Sequence, residues 1–133
     1  MATRRRAATK ILPHGRYVDF DPIGIWPKPV QKPYPPIYVG GGSRAFERIA
    51  RFGDAWLANG LPPGKLEPML KELREVAGRD VPVSVFNASS DRKDLEAYAH
   101  LSVERVLLGL PTLHESETLR QLDNLAQVAT DIR

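Results

Sequence analysis

Residues 35–60, "PPIYVGGGSRAFERIARFGDAWLANG", decide how the rest of the chain is read. A short β-rich run, Ile37 to Val39, ends in three glycines, Gly40 to Gly42. The residues that follow place Ala45, Ile49 and Phe52 at i, i+4 and i+7, with Phe46 and Ala50 alongside. That spacing predicts a helix with one apolar face. Ser43 is placed to cap its start and Gly53 to stop it. "DAWLANG" then predicts a second strand.

The alternation continues to the end of the chain. "KLEPMLKELREVAGRD" sets Leu66, Met69, Leu70, Leu73 and Ala77 on one helical face, stopped by Gly78. "VPVSVFN" predicts a third strand, and "SDRKDLEAYAHLS" a short helix with a Ser/Asp start. "VERVLLGL" predicts a fourth strand. The closing helix, "SETLRQLDNLAQVATDI", is expected to pack through Leu119, Leu122, Ala126 and Ala129. Four β-α units thus fill residues 37–133, and such alternation means parallel strands with right-handed crossovers, an α/β fold. The strands are nearly all apolar, as expected where both faces are covered. Four units admit a small open doubly wound sheet or half of a (β/α)8 barrel, and periodicity alone does not separate them.

Upstream the character changes. Seven of the twelve prolines lie within residues 1–36, and "WPKPVQKPYPP" can hold neither a helix nor a central strand. "GRYVDFD" alternates like a short edge strand. The chain therefore reads as a basic flexible leader over residues 1–13, an extended or hairpin Pro-rich segment over 14–36, and the βα body over 37–133. Charge follows the same division. Of the 19 Lys and Arg, seven lie in residues 1–34 against only Asp19 and Asp21, so the net +3 belongs to the leader. An Arg-rich arm could touch phosphate backbones, but it lacks the interleaved aromatics on which single strands stack. With no cysteine there are no disulfides or thiolate metal sites. The apolar runs are far short of the ~20 residues that span a bilayer. The start lacks the apolar core of a secretory signal, so a cytoplasmic protein is expected.

Gly40-Gly41-Gly42-Ser43-Arg44-Ala45 fits G-x-G-x-x-[G/A] between a strand and a helix. Glycines let a phosphate approach the backbone, where the first helical N–H groups lack internal partners. Ser43 or Arg44 could add a side-chain donor. A dinucleotide fingerprint also needs a carboxylate about 20 residues on, at the end of the second strand. Asn59 stands there instead. No Lys-Ser/Thr pair follows, so the loop is not a Walker loop either. The remaining choice is between a phosphate-binding turn and a plain tight turn.

Other candidates are weaker. His14, His100 and His114 have no metal-ligand spacing. Asp54 opens the second strand, where a structural or capping role is expected. Glu67, Glu72 and Glu75 share a solvated face with Lys65, Lys71 and Arg74. No catalytic acid or base is visible.

The series Gly15-Arg16-Tyr17, Lys28 to Ile37, Val39-Gly40-Gly41, Ala45 to Arg51 and Gly53-Asp54-Ala55-Trp56 resembles the luciferase-like flavin monooxygenase and deazaflavin-dependent oxidoreductase superfamily. "VERVLLGLP" and "LRQLDNLAQV" are similar to that family's closing strand and helix, so the likeness covers residues 14–130. One departure is Ala55, where glycine is common. A larger one is extent, because the family's members are whole barrels and the matching part is their C-terminal half.

The resemblance implies the second half of a flavin-binding barrel, acting in hydride transfer or monooxygenation, with the deazaflavin F-420 or FMN as cofactor. It implies that Gly40, Gly41, Gly42, Ser43 and Ala45 face the phosphate and ribityl part of the flavin, with Asn59 and Gly60 on the next strand end. It implies a small-molecule substrate, and either a homo-oligomer or a missing N-terminal half, since a half barrel exposes two strand edges. The alternative is a non-catalytic flavodoxin-like or partner-binding domain with an open sheet.

Overall fold

The computed structural model describes residues 15–17, 19–21 and 26–132; the expected leader over residues 1–13 lies outside them. The chain forms two compact units, Met1–Pro36 and Ile37–Arg133. In the first, the described residues hold bends and a bridge at Asp19, with no helix or longer strand among them. Lys28 lies over the ring of the exposed Trp26, 5.2 Å from its centroid.

The second unit is the βα body. β1 (Tyr38–Gly40) leads through a 3-10 turn (Ser43–Ala45) into α1 (Phe46–Phe52). β2 (Ala55–Asn59), α2 (Pro63–Ala77), β3 (Val83–Ala88), α3 (Arg92–His100), β4 (Arg105–Leu108) and α4 (Glu115–Asp131) follow. All pairings are parallel and the strand order is β1-β2-β3-β4. A doubly wound sheet reverses its order at a switch point. This sheet has no reversal, so it is singly wound, the winding of a (β/α)8 barrel, and its four βα units are consistent with half of one. The open flavodoxin-like arrangement is thereby set aside.

Right-handed crossovers in unbroken order put every helix on one face of the sheet. Register shows which side chains meet them. Val39 is level with Trp56, Trp56 with Val83, and Val85 with Val106. These alternate residues, with Ala58, join Phe46 and Ile49 of α1, Leu66 and Leu73 of α2, and Leu95 and Tyr98 of α3 in one core. The intervening residues, among them Tyr38, Leu57, Ser84, Phe86 and Leu107, point to the other face, which in a closed barrel is the interior. That face is not uniformly dry, since Phe86 is 50% exposed, although Ser84 is buried with no partner for its hydroxyl.

Three local expectations change. Ser43 does not cap α1: Gly42 precedes the helical turn, and Ser43 is already its first residue. Gly53 stops α1 in extended backbone, φ −79°, rather than in a left-handed cap. Space is what it supplies, because a Cβ there would lie 2.9 Å from both Ile49 Cα and Val39 Cγ2. In α4 the expected inward set of Leu119, Leu122, Ala126 and Ala129 is exposed, and Leu125, Val128 and Ile132 are the half-buried residues instead. The helix is apolar over two adjacent stripes, and only one has a strand beneath it.

Candidate functional site

Parallel strands all end at the same edge of the sheet, so the turns after Gly40, Asn59, Ala88 and Leu108 form one rim. The first is the most elaborately held. Gly41 has φ +124°, a conformation side chains rarely adopt. The Ala45 N–H donates to the Gly42 carbonyl (2.8 Å), closing the turn. The indole Nε1–H of Trp56 donates to the Gly41 carbonyl at 2.7 Å. Trp56 is fully buried, and Phe46 meets its ring edge-on at 5.0 Å.

That bond orients a peptide plane. In a trans peptide the N–H lies opposite the C=O. With the Gly41 carbonyl drawn inward to Trp56, the N–H of Gly42 points to the outer side of the turn. A Cβ on Gly42 would meet nothing within 4 Å, so the turn has room around this residue. A Cβ on Gly41 would sit 3.3 Å from the Ala45 methyl and 3.8 Å from a guanidinium nitrogen of Arg48. Arg48 thus places a cation beside the turn, and neither it nor Arg44 has an ion-pair partner among the described residues. An outward N–H, open backbone and an adjacent guanidinium make a locally anion-favouring surface.

Of the residues expected in the site, Gly40, Gly41, Gly42 and Ser43 are exposed along this turn. Ala45 is buried and its N–H is committed to Gly42, so it supports the turn from beneath. Gly40 is level with Leu57, which puts Asn59 two residues further along the neighbouring strand and on the same face. Gly60 takes φ +57° and donates its N–H to the Phe86 carbonyl at 2.8 Å. The buried Tyr98 holds the loop beyond it, donating to the Leu61 carbonyl at 2.7 Å. Burial raises the Tyr98 phenol above its ordinary value, with Asp94 adding to the rise.

Three features of the rim escaped the sequence reading. One is Trp56, which looks like any core aromatic. The second is Arg48, one turn beyond Arg44, which was offered with Ser43 as a side-chain donor. The third is a bulge in β3: Phe86 pairs with Leu107 and Ala88 with Leu108, leaving Asn87 unpaired at φ +54°. Its Oδ1 lies 2.9 Å from where a Cβ of Gly109 would be, so only a glycine lets it rest across the end of β4. An Asn at a strand end followed by small residues was the available signal.

The opposite edge of the sheet is tied for stability. The Ile37 N–H donates to Asp54 Oδ2 at 3.0 Å, which gives Asp54 the structural role expected of it. Arg79 donates to the Gly53 carbonyl at 2.6 Å, and the Tyr38 hydroxyl meets Glu104 Oε2 at 3.5 Å. A groove lined by Leu70, Leu73, Asp80, Val81 and Pro82 lies at that edge, away from the glycine turn. Among the described residues no group of His, Cys, Asp and Glu is arranged to hold a metal, and no helix is long and apolar enough to cross a membrane.

Comparison with known proteins sets this rim in context. The family model described as luciferase-like monooxygenase matches residues 3–132. The chain is 33% identical over 118 residues to the uncharacterized protein Rv0953c of Mycobacterium tuberculosis, covering 84% of this chain and 42% of that protein. The uncharacterized protein Mb0978c of Mycobacterium bovis matches to the same extent. The FMNH(2)-dependent dimethylsulfone monooxygenase of Pseudomonas putida is 31% identical over 98 residues, 71% of this chain and 27% of that enzyme. The chain therefore spans less than half the length of the curated relatives it matches.

Proposed function

Because this chain belongs to the luciferase-like monooxygenase family, we propose that it holds the phosphate end of a flavin, FMN or the deazaflavin F-420, at the Gly40–Gly42 turn of an oxidoreductase barrel. The observation that carries this reading is the Trp56–Gly41 bond. It turns the Gly42 N–H outward, while the Arg48 guanidinium lies beside the neighbouring Gly41 and glycine leaves the backbone open. The Pseudomonas putida relative is named for reduced FMN, which supports a flavin here. The fit is chemical as well: a phosphate group takes backbone N–H donors and a guanidinium, and a cradle without side chains admits its bulk.

When bound, the flavin supplies the redox chemistry, as a hydride acceptor or an oxygen activator. The residues of this chain bind and orient. Gly42 and Arg48 take the phosphate, with Ser43 within the same turn. Asn59 and Gly60 border the path from the turn along the strand ends. The alternating inner face, with Leu57, Phe86 and Leu107, offers apolar surface to a ring system. This division accounts for a rim without a paired acid and base. The small-molecule substrate is bound by the whole barrel, and four further βα units must come from a second copy, another chain or further sequence.

Calorimetric titration with FMN, F-420 and riboflavin tests the reading, since riboflavin is FMN without its phosphate. FMN or F-420 is expected to bind at least tenfold more tightly than riboflavin, the effect of one or two charge-assisted hydrogen bonds. Gly41→Val, which forces a side chain onto Ala45 and Arg48, is expected to abolish that preference. Equal affinity for FMN and riboflavin, with no binding of F-420, would leave the turn as plain structure.

A further inference from the structure

Asn59 ends β2 and Gly60 follows it. An asparagine before a glycine is chemically labile. The glycine nitrogen carries no bulk beside it, so it can reach the asparagine Cγ and close a succinimide ring. The chain has three asparagines, and Asn59 alone has that neighbour, since Asn87 and Asn124 precede Ala88 and Leu125. The turn itself calls for the glycine, because residue 60 takes φ +57°, where a side chain is strained. The backbone requirement at the end of β2 therefore creates the labile pair.

The fold leaves the carboxamide open and restrains the nitrogen. Asn59 and Gly60 are both exposed, and the Asn59 side chain has no hydrogen bond among the described residues. The Gly60 N–H is donated to the Phe86 carbonyl at 2.8 Å, one rung beyond the level of Asn59 with Phe86. The carbonyl of the next residue, Leu61, is held at 2.7 Å by the hydroxyl of the buried Tyr98. β2 and β3 are the inner strands of the sheet, each paired on both sides.

We propose that Asn59–Gly60 is a self-modification site, a peptide that deamidates through its own backbone, and that the bonds to Phe86 and from Tyr98 hold it closed. In the reaction the Gly60 nitrogen gives up its proton and bonds to Cγ of Asn59. The Cγ–Nδ2 bond breaks, and the amide leaves as ammonia, taking up one proton for the one lost. Water then opens the ring at either carbonyl. Opening at Cγ leaves an aspartate; opening at the backbone carbonyl leaves an isoaspartate, in which the main chain runs through the former side chain. Water is the only reagent and nothing is oxidised or reduced. Ring closure needs the Gly60 nitrogen released from Phe86 and the strand end rotated out of its extended form. Conversion therefore proceeds from the fraction of molecules in which the end of β2 is open.

One consequence concerns the rim. Either product puts a carboxylate on the face of the sheet that Asn59 shares with Gly40. A negative charge there would oppose a phosphate at the neighbouring turn. That consequence rests on the flavin reading; the conversion does not.

Peptide mapping by mass spectrometry, on the full chain kept at mildly alkaline pH, reads the conversion at each asparagine. In urea Asn59 is expected to convert faster than Asn87 and Asn124. Folding is expected to slow Asn59 at least about tenfold. Tyr98→Phe frees the Leu61 carbonyl and is expected to restore part of the rate, with a matching rise in hydrogen exchange at the Gly60 amide. Asn59→Gln, whose longer side chain closes the ring far less readily, is expected to stop the conversion. Equal rates for Asn59 in folded and unfolded chain, or no excess over Asn124 in urea, would overturn the proposal. A Tyr98→Phe chain that converts and exchanges like the parent would overturn the part given to that bond. For the consequence, Asn59→Asp is expected to lower affinity for FMN more than for riboflavin. Unchanged FMN affinity, or no flavin binding at all, would remove the consequence and leave the conversion standing.

Discussion

At position 56 the ring and the N–H of one indole do different things, and substitution separates them. Trp56→Phe keeps an aromatic ring against Phe46 but releases the Gly41 carbonyl. The lost hydrogen bond, with a small cavity, is expected to cost about 1–3 kcal/mol of stability. The sharper readout is selective: on the proposed reading FMN affinity is expected to fall about tenfold with riboflavin binding unchanged, because only the peptide proposed to meet the phosphate is freed. Gly53→Ala acts through space. Its methyl would overlap Ile49 and Val39, and a midpoint shift in urea equivalent to about 1–3 kcal/mol is expected. Tyr98 gives the chain a pH signature. Its phenol is raised by burial, so the fold favours the protonated form. That contribution is whole below the ordinary tyrosine value of about 10 and is lost as pH rises through the raised one. Alkaline unfolding followed by circular dichroism is expected to lose part of its pH dependence in Tyr98→Phe. None of these roles was legible in sequence. Gly41, Gly53 and Gly109 are the same letter, yet one supplies a left-handed turn, one clearance for a helix, and one a place for an asparagine side chain.

At the scale of elements, the sequence located every strand and helix of the body. The Asp start of α3 appears as a side chain accepting from the Lys93 N–H at 2.8 Å. The face of α2 appears as Leu66 and Leu73 buried with Met69, Leu70 and Ala77 partly covered. These are local matters, settled by a helical period and a capping oxygen. α4 shows where local information ends. Its two apolar stripes are both plain in the sequence, but which one has a strand beneath it depends on a neighbour that periodicity does not see. The β3 bulge is the same kind of case. An extra residue at Asn87 is defined only against the register of β4.

For the whole molecule, the decisive quantity was strand order, a relation among segments tens of residues apart. Alternation gave the class, and order gave the winding. Winding in turn assigns meaning to the surfaces: one edge of the sheet is bound together by Asp54 and Arg79, and the other carries glycines and asparagines at its turns. The glycine turn of the proposed site was singled out from its letters, and its likeness to a family fixed which ligand class to test. The parts on which the proposal rests, an indole from the next strand and a guanidinium from the following helix, arrive through folding. One of those parts also makes the molecule observable. The chain has two tryptophans, and Trp26 is 71% exposed, whereas Trp56 is sealed in the core with its N–H on the glycine turn. Trp26 should emit at long wavelength and yield to iodide quenching, leaving the blue-shifted emission of Trp56 as an intrinsic optical gauge of whatever occupies the turn.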